Sequence, residues 1–402
     1  MNSRHRKLAL DISDTSDSPQ HTLSLVRGDL LFRIQQRIGL IPAHGLGVGR
    51  RAVFYALVAC LPIAAWALVT GRAGSGNLDE SLLEHFGVHV RCLIAIPLLV
   101  VAEGMAHAVT QRLMPQFVRA GLIGDRSSFV TVLREVARMR DRTLPWVLIG
   151  GLVLAWTLAV PATQQLHELR WAADATRPGE LGFGGWWYLY VARLIYITLV
   201  LAWLWRLVLL FELCRRLTRL DLALVPTHPD RLGGLGFLES VPGAFAAVIF
   251  ALSAVISSGW AHDVVYHSQD LMALRLRAVA FLVLVTVVFL APLAVFKPLL
   301  ARTKRTAVLE YAALVAAHGR AVRTRWIERK TPADTALLAA PEIGPVADTL
   351  ALYQAVANMR TLPVGKRAIT AVLVPAVLPM LVVVALQVPI GKLVVTILKA
   401  LT

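Results

Sequence analysis

The sequence predicts an all-α membrane protein, a polytopic helical bundle with about seven transmembrane helices and a cytoplasmic N-terminus. Of its 402 residues, 57% are apolar and only 16% are charged, whereas a soluble domain has about 25% charged residues. The mean hydropathy is +0.64. The apolar residues gather in runs of roughly 20, the length that crosses a bilayer. This composition excludes a disordered chain, a disulfide-rich secreted domain and an ordinary cytosolic enzyme.

Seven stretches have the length and composition of a membrane helix. They are residues 52–70, 92–110, 144–161, 188–212, 240–260, 277–297 and 368–386. The first six define a six-span bundle over residues 46–297. The C-terminal hydrophobic segment, 368–402, contains Pro375 and Pro379, which membrane helices tolerate when neighbouring groups satisfy the freed carbonyls. We expect one kinked span followed by an interfacial tail; a short hairpin that returns the C-terminus to the cytoplasm is the alternative.

The distribution of basic residues predicts the orientation. With the N-terminus in the cytoplasm, 31 of the 41 Lys and Arg residues lie in the cytoplasmic pieces 1–51, 111–143, 213–239 and 297–367, and six lie in the outer loops. Such a bias is typical of the positive-inside rule. It accounts for the net charge of +16 and makes the lipid bilayer and anionic headgroups the expected partners. No basic module with interleaved aromatic residues is present, so we expect no nucleic-acid binding.

Three parts lie outside the spans. Residues 1–22 are polar and are expected to form a disordered tail. Residues 23–45 contain an apolar stripe at helical spacing, which predicts an amphipathic helix, either on the cytoplasmic leaflet or packed on the protein's own cytoplasmic helices. The stripe consists of Leu23, Val26, Leu30, Ile34, Ile38 and Ile41. Residues 298–367 are expected to form a cytoplasmic helical insertion that docks on the inner loops or on a second subunit, which makes a homo-oligomer plausible.

The loop after the fourth span contains a distinctive run. It starts at Leu220-Asp221 and continues as Thr227-His228-Pro229-Asp230-Arg231-Leu232-Gly233-Gly234-Leu235-Gly236-Phe237; Glu310-Tyr311 and Ala347-Asp348-Thr349-Leu350 follow later. Together these residues resemble a family of uncharacterised bacterial multi-pass membrane proteins in which a His-Pro-Asp-x-x-Gly-Gly-Leu-Gly-Phe run precedes a span. The resemblance covers residues 25–400 in layout and is motif-specific around residues 221–239. It implies a bacterial inner membrane and carries no activity with it.

The same loop is a candidate anion-binding or headgroup-binding site. It offers glycines, a basic side chain and the free N–H groups at the start of the fifth span, and a helix N-terminus favours anions. The candidate residues are His228, Asp230, Arg231, Gly233, Gly234 and Gly236. The alternative is a tight turn in which Asp230 and His228 satisfy backbone amides.

A second candidate site lies inside the membrane. Glu103 falls within the second span, His107 follows one turn later, and Arg206 of the fourth span lies at a similar depth. A charged group in a bilayer is costly and is a functional candidate by default. We expect a Glu103–Arg206 pair facing the bundle interior, with His107 nearby. Its role is either an ion- or proton-handling site or a static buried pair.

A third candidate, for metal binding, lies on the predicted outer face. His85 and His89 are four residues apart, as two ligands on one helix face require, and His262 and His267 lie in or near a loop on the same side. Imidazole suits divalent transition metals. The alternative is a set of interfacial histidines without a metal.

The sequence identifies no cofactor, and three function classes remain open. The first is a channel or transporter for an ion or small solute, which Glu103, His107 and Arg206 favour. The second is a membrane-bound interaction or sensor protein that contacts lipid or partner proteins. The third is a membrane enzyme acting on lipid, with His228 and Asp230 as an acid/base pair. We expect the first class and do not expect an enzyme.

Overall fold

The computed structural model describes residues 23–42, 45–74, 81–159, 170–173, 180–266, 271–330 and 346–387. In these ranges the regular structure is helical, and turns, loops and two isolated β-bridges connect the helices. The predicted N-terminal tail 1–22 and the C-terminal tail from residue 388 lie outside the described residues. The all-α class predicted from composition is therefore confirmed.

Six described helices are long and apolar enough to cross a membrane. In chain order they are α2 (Val48–Val69), α3 (Phe86–Arg119), α6 (Phe183–Leu217), α7 (Gly236–Tyr266), α8 (Leu271–Ala294) and α11 (Lys366–Gln387). Their cores coincide with six of the seven predicted spans. The remaining prediction, 144–161, falls on α5 (Leu144–Ala159), an apolar helix after which residues 160–169 lie outside the described residues. Seven as the number of spans stays a prediction.

Shorter and peripheral helices complete the architecture. They are α1 (Leu30–Arg37), α4 (Arg126–Asp141), α9 (Lys297–Val322, continued by a π-turn over Arg323–Ile327) and α10 (Val346–Ala357), with single 3-10 turns at Leu82–Glu84 and Arg170–Ala172. The helices α9 and α10 pack together. They occupy the region predicted as the insertion 298–367, of which residues 331–345 lie outside the described residues.

The helix ends follow simple local chemistry. Asp125 caps α4 by accepting the N–H groups of Ser127 and Ser128, as carboxylates at helix N-termini do. Gly121, with a φ of +66°, lies just after the end of α3, a conformation that costs glycine little. Hydrogen bonds from the hydroxyls of Ser128 and Ser127, together with those from the backbone, lower the pKa of Asp125 to about 2.

The bundle has a centre and a periphery. Within their membrane windows, 56% of the residues of α7, 44% of α3 and 39% of α6 are buried, against 22% for α2 and α8. The central helices therefore contact protein on most sides, and the outer ones present apolar faces of the kind that contact lipid. The α11 helix closes one side, where Ser253 of α7 donates a hydrogen bond to the Ala376 carbonyl at 2.5 Å.

The predicted amphipathic helix over 23–45 is shorter in the structure. Only α1 is helical, because Gly28 and Gly39 adopt φ values of +97° and +74° on either side of it. Residues 23–29 form turns that insert into the protein, with Leu23 and Val26 buried. Two stripe residues that a continuous helix would have buried with them, Ile34 and Ile38, are 46% and 64% exposed. Two locations were predicted for this segment, the membrane surface and the protein's own helices. Residues 23–29 lie against the protein's own helices.

Candidate functional site

A cluster of buried charged side chains is centred on Glu103 of α3. Its Oε1 lies 2.8 Å from Nη2 of Arg206 in α6, and its Oε2 lies 2.5 Å from Nη1 of Arg51 in α2. The structure thus brings together Glu103 and Arg206, which were predicted to pair because they lie at a similar depth in their spans. It also adds Arg51, which the sequence analysis had counted only among the basic flanks. One carboxylate therefore bridges guanidinium groups from two different helices.

The fourth member comes from outside the spans. Asp29 lies in the turn before α1, and its Oδ2 lies 2.9 Å from Nη2 of Arg206. Its Oδ1 accepts the backbone N–H of Phe32 at 2.7 Å and so caps α1. A single side chain therefore fixes the start of α1 and joins the N-terminal segment to the membrane bundle.

The cluster is neutral and closed to solvent. Asp29, Arg51, Glu103 and Arg206 are each at most 1% exposed and contribute two positive and two negative charges. Burying charges is costly unless they are paired, and the ring of Trp203, with its centroid 5.0 Å from the Arg206 guanidinium carbon, adds a cation–π contact. Within the described part of the chain, Nε of Arg51, both Nε and Nη1 of Arg206 and both carboxylate oxygens of Glu103 have no partner in hydrogen-bond geometry. The site therefore retains unused donors and unused acceptors.

The cluster lies near one edge of the apolar layer. Arg51 is the fourth residue of α2, so the cluster sits close to the end at which that helix begins. The charge distribution predicts that this end faces the cytoplasm. Residues 23–29 cover the cluster there, so the site is nearer the membrane surface than the expected mid-span position of Glu103.

His107 belongs to this cover. Its Nδ1 lies 2.9 Å from Oγ of Ser24, and Arg140 of α4 donates to the Ser24 carbonyl. Ser24 also accepts the backbone N–H of Arg27 at 3.0 Å. His107 therefore contacts the N-terminal segment one turn away from Glu103, and it connects that segment to α3.

In the candidate anion-binding loop before α7, the side chain of Asp230 occupies the centre. Its carboxylate accepts the backbone N–H groups of Leu232, Gly234 and Gly236 at 2.7, 3.2 and 2.7 Å. Nδ1 of His228 lies 2.9 Å from the same carboxylate. Burial alone would raise the pKa of Asp230, but these hydrogen bonds bring it below its ordinary value.

This geometry corrects the predicted use of the loop amides. The N–H groups expected to bind an external anion already bind Asp230, so the alternative, a turn capped by Asp230, describes the loop. Arg231 is exposed and adopts a φ of +59°, and Gly233 and Gly234 have φ values of +67° and +97°. The turn is further fixed because Arg360 donates its backbone N–H to the Arg231 carbonyl at 2.7 Å. An acid/base role for His228 and Asp230 stays a prediction.

The outer histidines do not gather around a common point. His85 and His262 have ring centroids 5.3 Å apart, but Nδ1 of His85 lies 3.1 Å from the Ser81 carbonyl and Nε2 of His89 lies 2.9 Å from the Leu82 carbonyl. His267 lies outside the described residues. Among the residues that the structure describes, no group of three His, Cys, Asp or Glu side chains could hold a metal ion. The helical pair His85/His89 is therefore directed to backbone carbonyls.

Sequence reasoning missed two of the four cluster members. Arg51 lies next to Arg50 at the start of a span, where basic residues usually mark the cytoplasmic surface. Asp29 lies in an amphipathic stretch where a carboxylate is ordinary. One signal in the sequence could have identified Asp29. It stands directly after Gly28 and three residues before Phe32, and this is the position of an N-cap residue at the start of a helix.

Comparison of the chain with protein-family models, curated proteins and solved structures finds no match.

Proposed function

We propose that the chain is a channel or transporter for an ion or small solute, in which the cluster of Asp29, Arg51, Glu103 and Arg206 is the site that the ion engages. The observation that carries the proposal is the complete burial of four charged groups in an otherwise apolar bundle. Charged residues in membrane proteins usually mark substrate or ion pathways, because each one is expensive to desolvate.

Two features of the cluster support an ion site over a static lock. The guanidinium groups of Arg51 and Arg206 have donors, and the Glu103 carboxylate has acceptors, without hydrogen-bond partners among the described residues. A site for a small ion or an ordered water requires such groups. The cover over the cluster is a segment of turns, residues 23–29, held by Asp29 and Ser24. Such a segment can leave without unfolding a span, so it suits a gate.

The orientation and compartment belong to the same proposal. We place the N-terminus, α9 and α10 in the cytoplasm of a bacterium and the bundle in its inner membrane. The bias of 31 basic residues toward one side supports the orientation, and the resemblance carried by His228–Phe237 supports the compartment.

The test is ion flux into reconstituted vesicles. Purified protein is placed in vesicles loaded with a pH-sensitive or a chloride-sensitive dye, and flux is compared with empty vesicles. We expect wild-type flux above that background and Glu103→Gln proton flux close to it. Glu135→Gln serves as the matched control: it removes a carboxylate of α4 that is 42% exposed and forms an ion pair with Arg216 of α6, outside the cluster.

Two results would count against the proposal. Wild-type flux equal to that of empty vesicles, for protons and chloride alike, would contradict transport of these ions. Equal flux through wild-type protein and the Glu103→Gln variant would show that ions do not use the cluster. Circular dichroism of both variants in the same vesicles establishes that the comparison is made on folded protein.

A second candidate function, an interaction protein, rests on α9 and its continuation. Leu309, Trp326 and Ile327 are 69%, 72% and 74% exposed, although they lie outside the six candidate spans. Large apolar side chains exposed outside the membrane are typical of contact surfaces, and a second copy of the chain fits the expected homo-oligomer. Light scattering in detergent tests this: we expect a dimer, and a monomer for Trp326→Glu. A monomeric wild-type protein would contradict the interpretation.

A further inference from the structure

A crevice runs along the lipid-facing side of the bundle between α5 and α6. Its volume is about 440 Å³, within the range of about 300–1,000 Å³ that is typical of small-molecule sites. Apolar side chains of α5 and α6 form its walls. These are Leu144, Leu148 and Leu152 of α5 and Leu201, Leu204 and Val208 of α6.

Two polar groups border this crevice. Arg142, the residue that follows α4, lies at the end where α5 begins, and its side chain is exposed. Trp205 of α6 lines the crevice further along, and its indole Nε1 is buried without a hydrogen-bond partner among the described residues. This N–H is enclosed by the protein, so Arg142 is the polar group that a ligand in the crevice can reach.

We propose that this crevice binds one anionic phospholipid. An acyl chain lies against the leucine side chains, and the phosphate contacts Arg142. Arg142 lies at the end where α5 begins, and the leucines of α5 follow it along the helix, so the charged group and the apolar walls are arranged like the headgroup and chains of a phospholipid.

Charge favours a lipid with a net negative headgroup over a zwitterionic one. The last turn of α4 carries Arg138 and Arg140 in addition to Arg142, and only Arg140 has a carboxylate neighbour, Asp141 at 2.8 Å, among the ion pairs described for this turn. Basic residues at the membrane surface attract anionic headgroups. A zwitterionic headgroup adds a positive charge to this surface and loses part of that attraction.

The test measures lipid retention by native mass spectrometry. Protein in detergent is titrated with phosphatidylglycerol or with phosphatidylcholine, and bound lipids are counted. We expect the wild type to retain one phosphatidylglycerol at least ten times more strongly than phosphatidylcholine. The Arg142→Ala variant should lose this preference, and the Leu204→Trp variant, which fills the crevice, should lose both lipids.

The matched control is Arg138→Ala, which removes the same charge from an exposed position outside the crevice. It should keep the preference of the wild type. An unchanged preference in Arg142→Ala, or an equal loss in Arg138→Ala and Arg142→Ala, would overturn the proposal, because both results describe a nonspecific surface charge. The comparison of Arg138→Ala with Arg142→Ala tests the proposal even if Leu204→Trp does not fold.

Discussion

Replacing Glu103 by Gln tests the physical reasoning behind the cluster most directly. The substitution keeps the size of the side chain and removes the carboxylate that contacts Arg51 at 2.5 Å and Arg206 at 2.8 Å. The cluster then carries a net charge of +1 in a site without access to water. Removing one partner of a buried ion pair costs about 3–5 kcal/mol, and here one carboxylate serves two guanidinium groups. We therefore expect a loss near 5 kcal/mol.

A milder substitution calibrates this value. Asp29→Asn also leaves a net charge of +1, but Arg206 keeps Glu103 as its partner, and Asn caps a helix about as well as Asp. The expected loss is about 1.5–3 kcal/mol, the contribution of one hydrogen bond to a charged group. The difference between the two variants therefore measures the bridging position of Glu103.

The assay is reversible unfolding by sodium dodecyl sulfate in mixed micelles, followed by tryptophan fluorescence. A double variant, Arg51→Gln with Glu103→Gln, restores neutrality and leaves the pair of Asp29 and Arg206. We expect its loss to be smaller than the sum of the two single losses by about 3 kcal/mol, the upper end for residues in contact. A loss below 1 kcal/mol for Glu103→Gln, or additive losses in the double variant, would refute the reasoning.

Three further predictions concern other parts of the chain. Asp230→Asn should lower the free energy of unfolding by about 2 kcal/mol at neutral pH, because it weakens hydrogen bonds to a charged acceptor. The pKa of Asp230 in the folded protein lies below 3.8. The difference in stability between the variant and the wild type should therefore vanish as the pH falls from 3.8 through that lowered pKa. Gly234 has a φ of +97°, and a Cβ there would lie 3.0 Å from Leu122, so Gly234→Ala should lower the free energy of unfolding by about 1–3 kcal/mol. A Cβ at Gly243 meets open space, so Gly243→Ala should lower it by less than about 0.5 kcal/mol. Equal losses of stability would contradict the argument from the backbone. The cysteine introduced by Arg275→Cys should react with an impermeant maleimide in right-side-out vesicles, and that introduced by Arg320→Cys should react only after permeabilisation. The reverse result would invert the orientation.

The membrane architecture could be predicted because each span is a local property of the sequence. A run such as 52–70 identifies itself through its own length and apolar content, without reference to any other part of the chain. The pairing of Glu103 with Arg206 was accessible for a similar reason. Each residue is an exception within its own apolar run, and a buried charge requires a partner of opposite sign at similar depth.

The rest of the cluster could not be found in this way. Arg51 and Asp29 are unexceptional where they stand in the sequence, and only the path of the chain brings Asp29 back over α6. The loop at Asp230 had two chemically sound interpretations. The decision between them depended on where one carboxylate points, which the order of residues does not determine.

The number of charges in the cluster indicates which sign of ion the site favours. A pair of Glu103 and Arg206 alone would be neutral, so Arg51 and Asp29 add two desolvated charges that pairing does not require. Without Asp29, the other three carry a net charge of +1. The other three residues therefore form a position that favours an anion, and the Asp29 carboxylate occupies this position in the resting protein. Departure of residues 23–29 would make the position accessible to an anion from solution. We expect Asp29→Asn vesicles to pass chloride faster than wild type, with proton flux unchanged. Slower chloride flux would show that Asp29 is part of the path and that its carboxylate does not close the site.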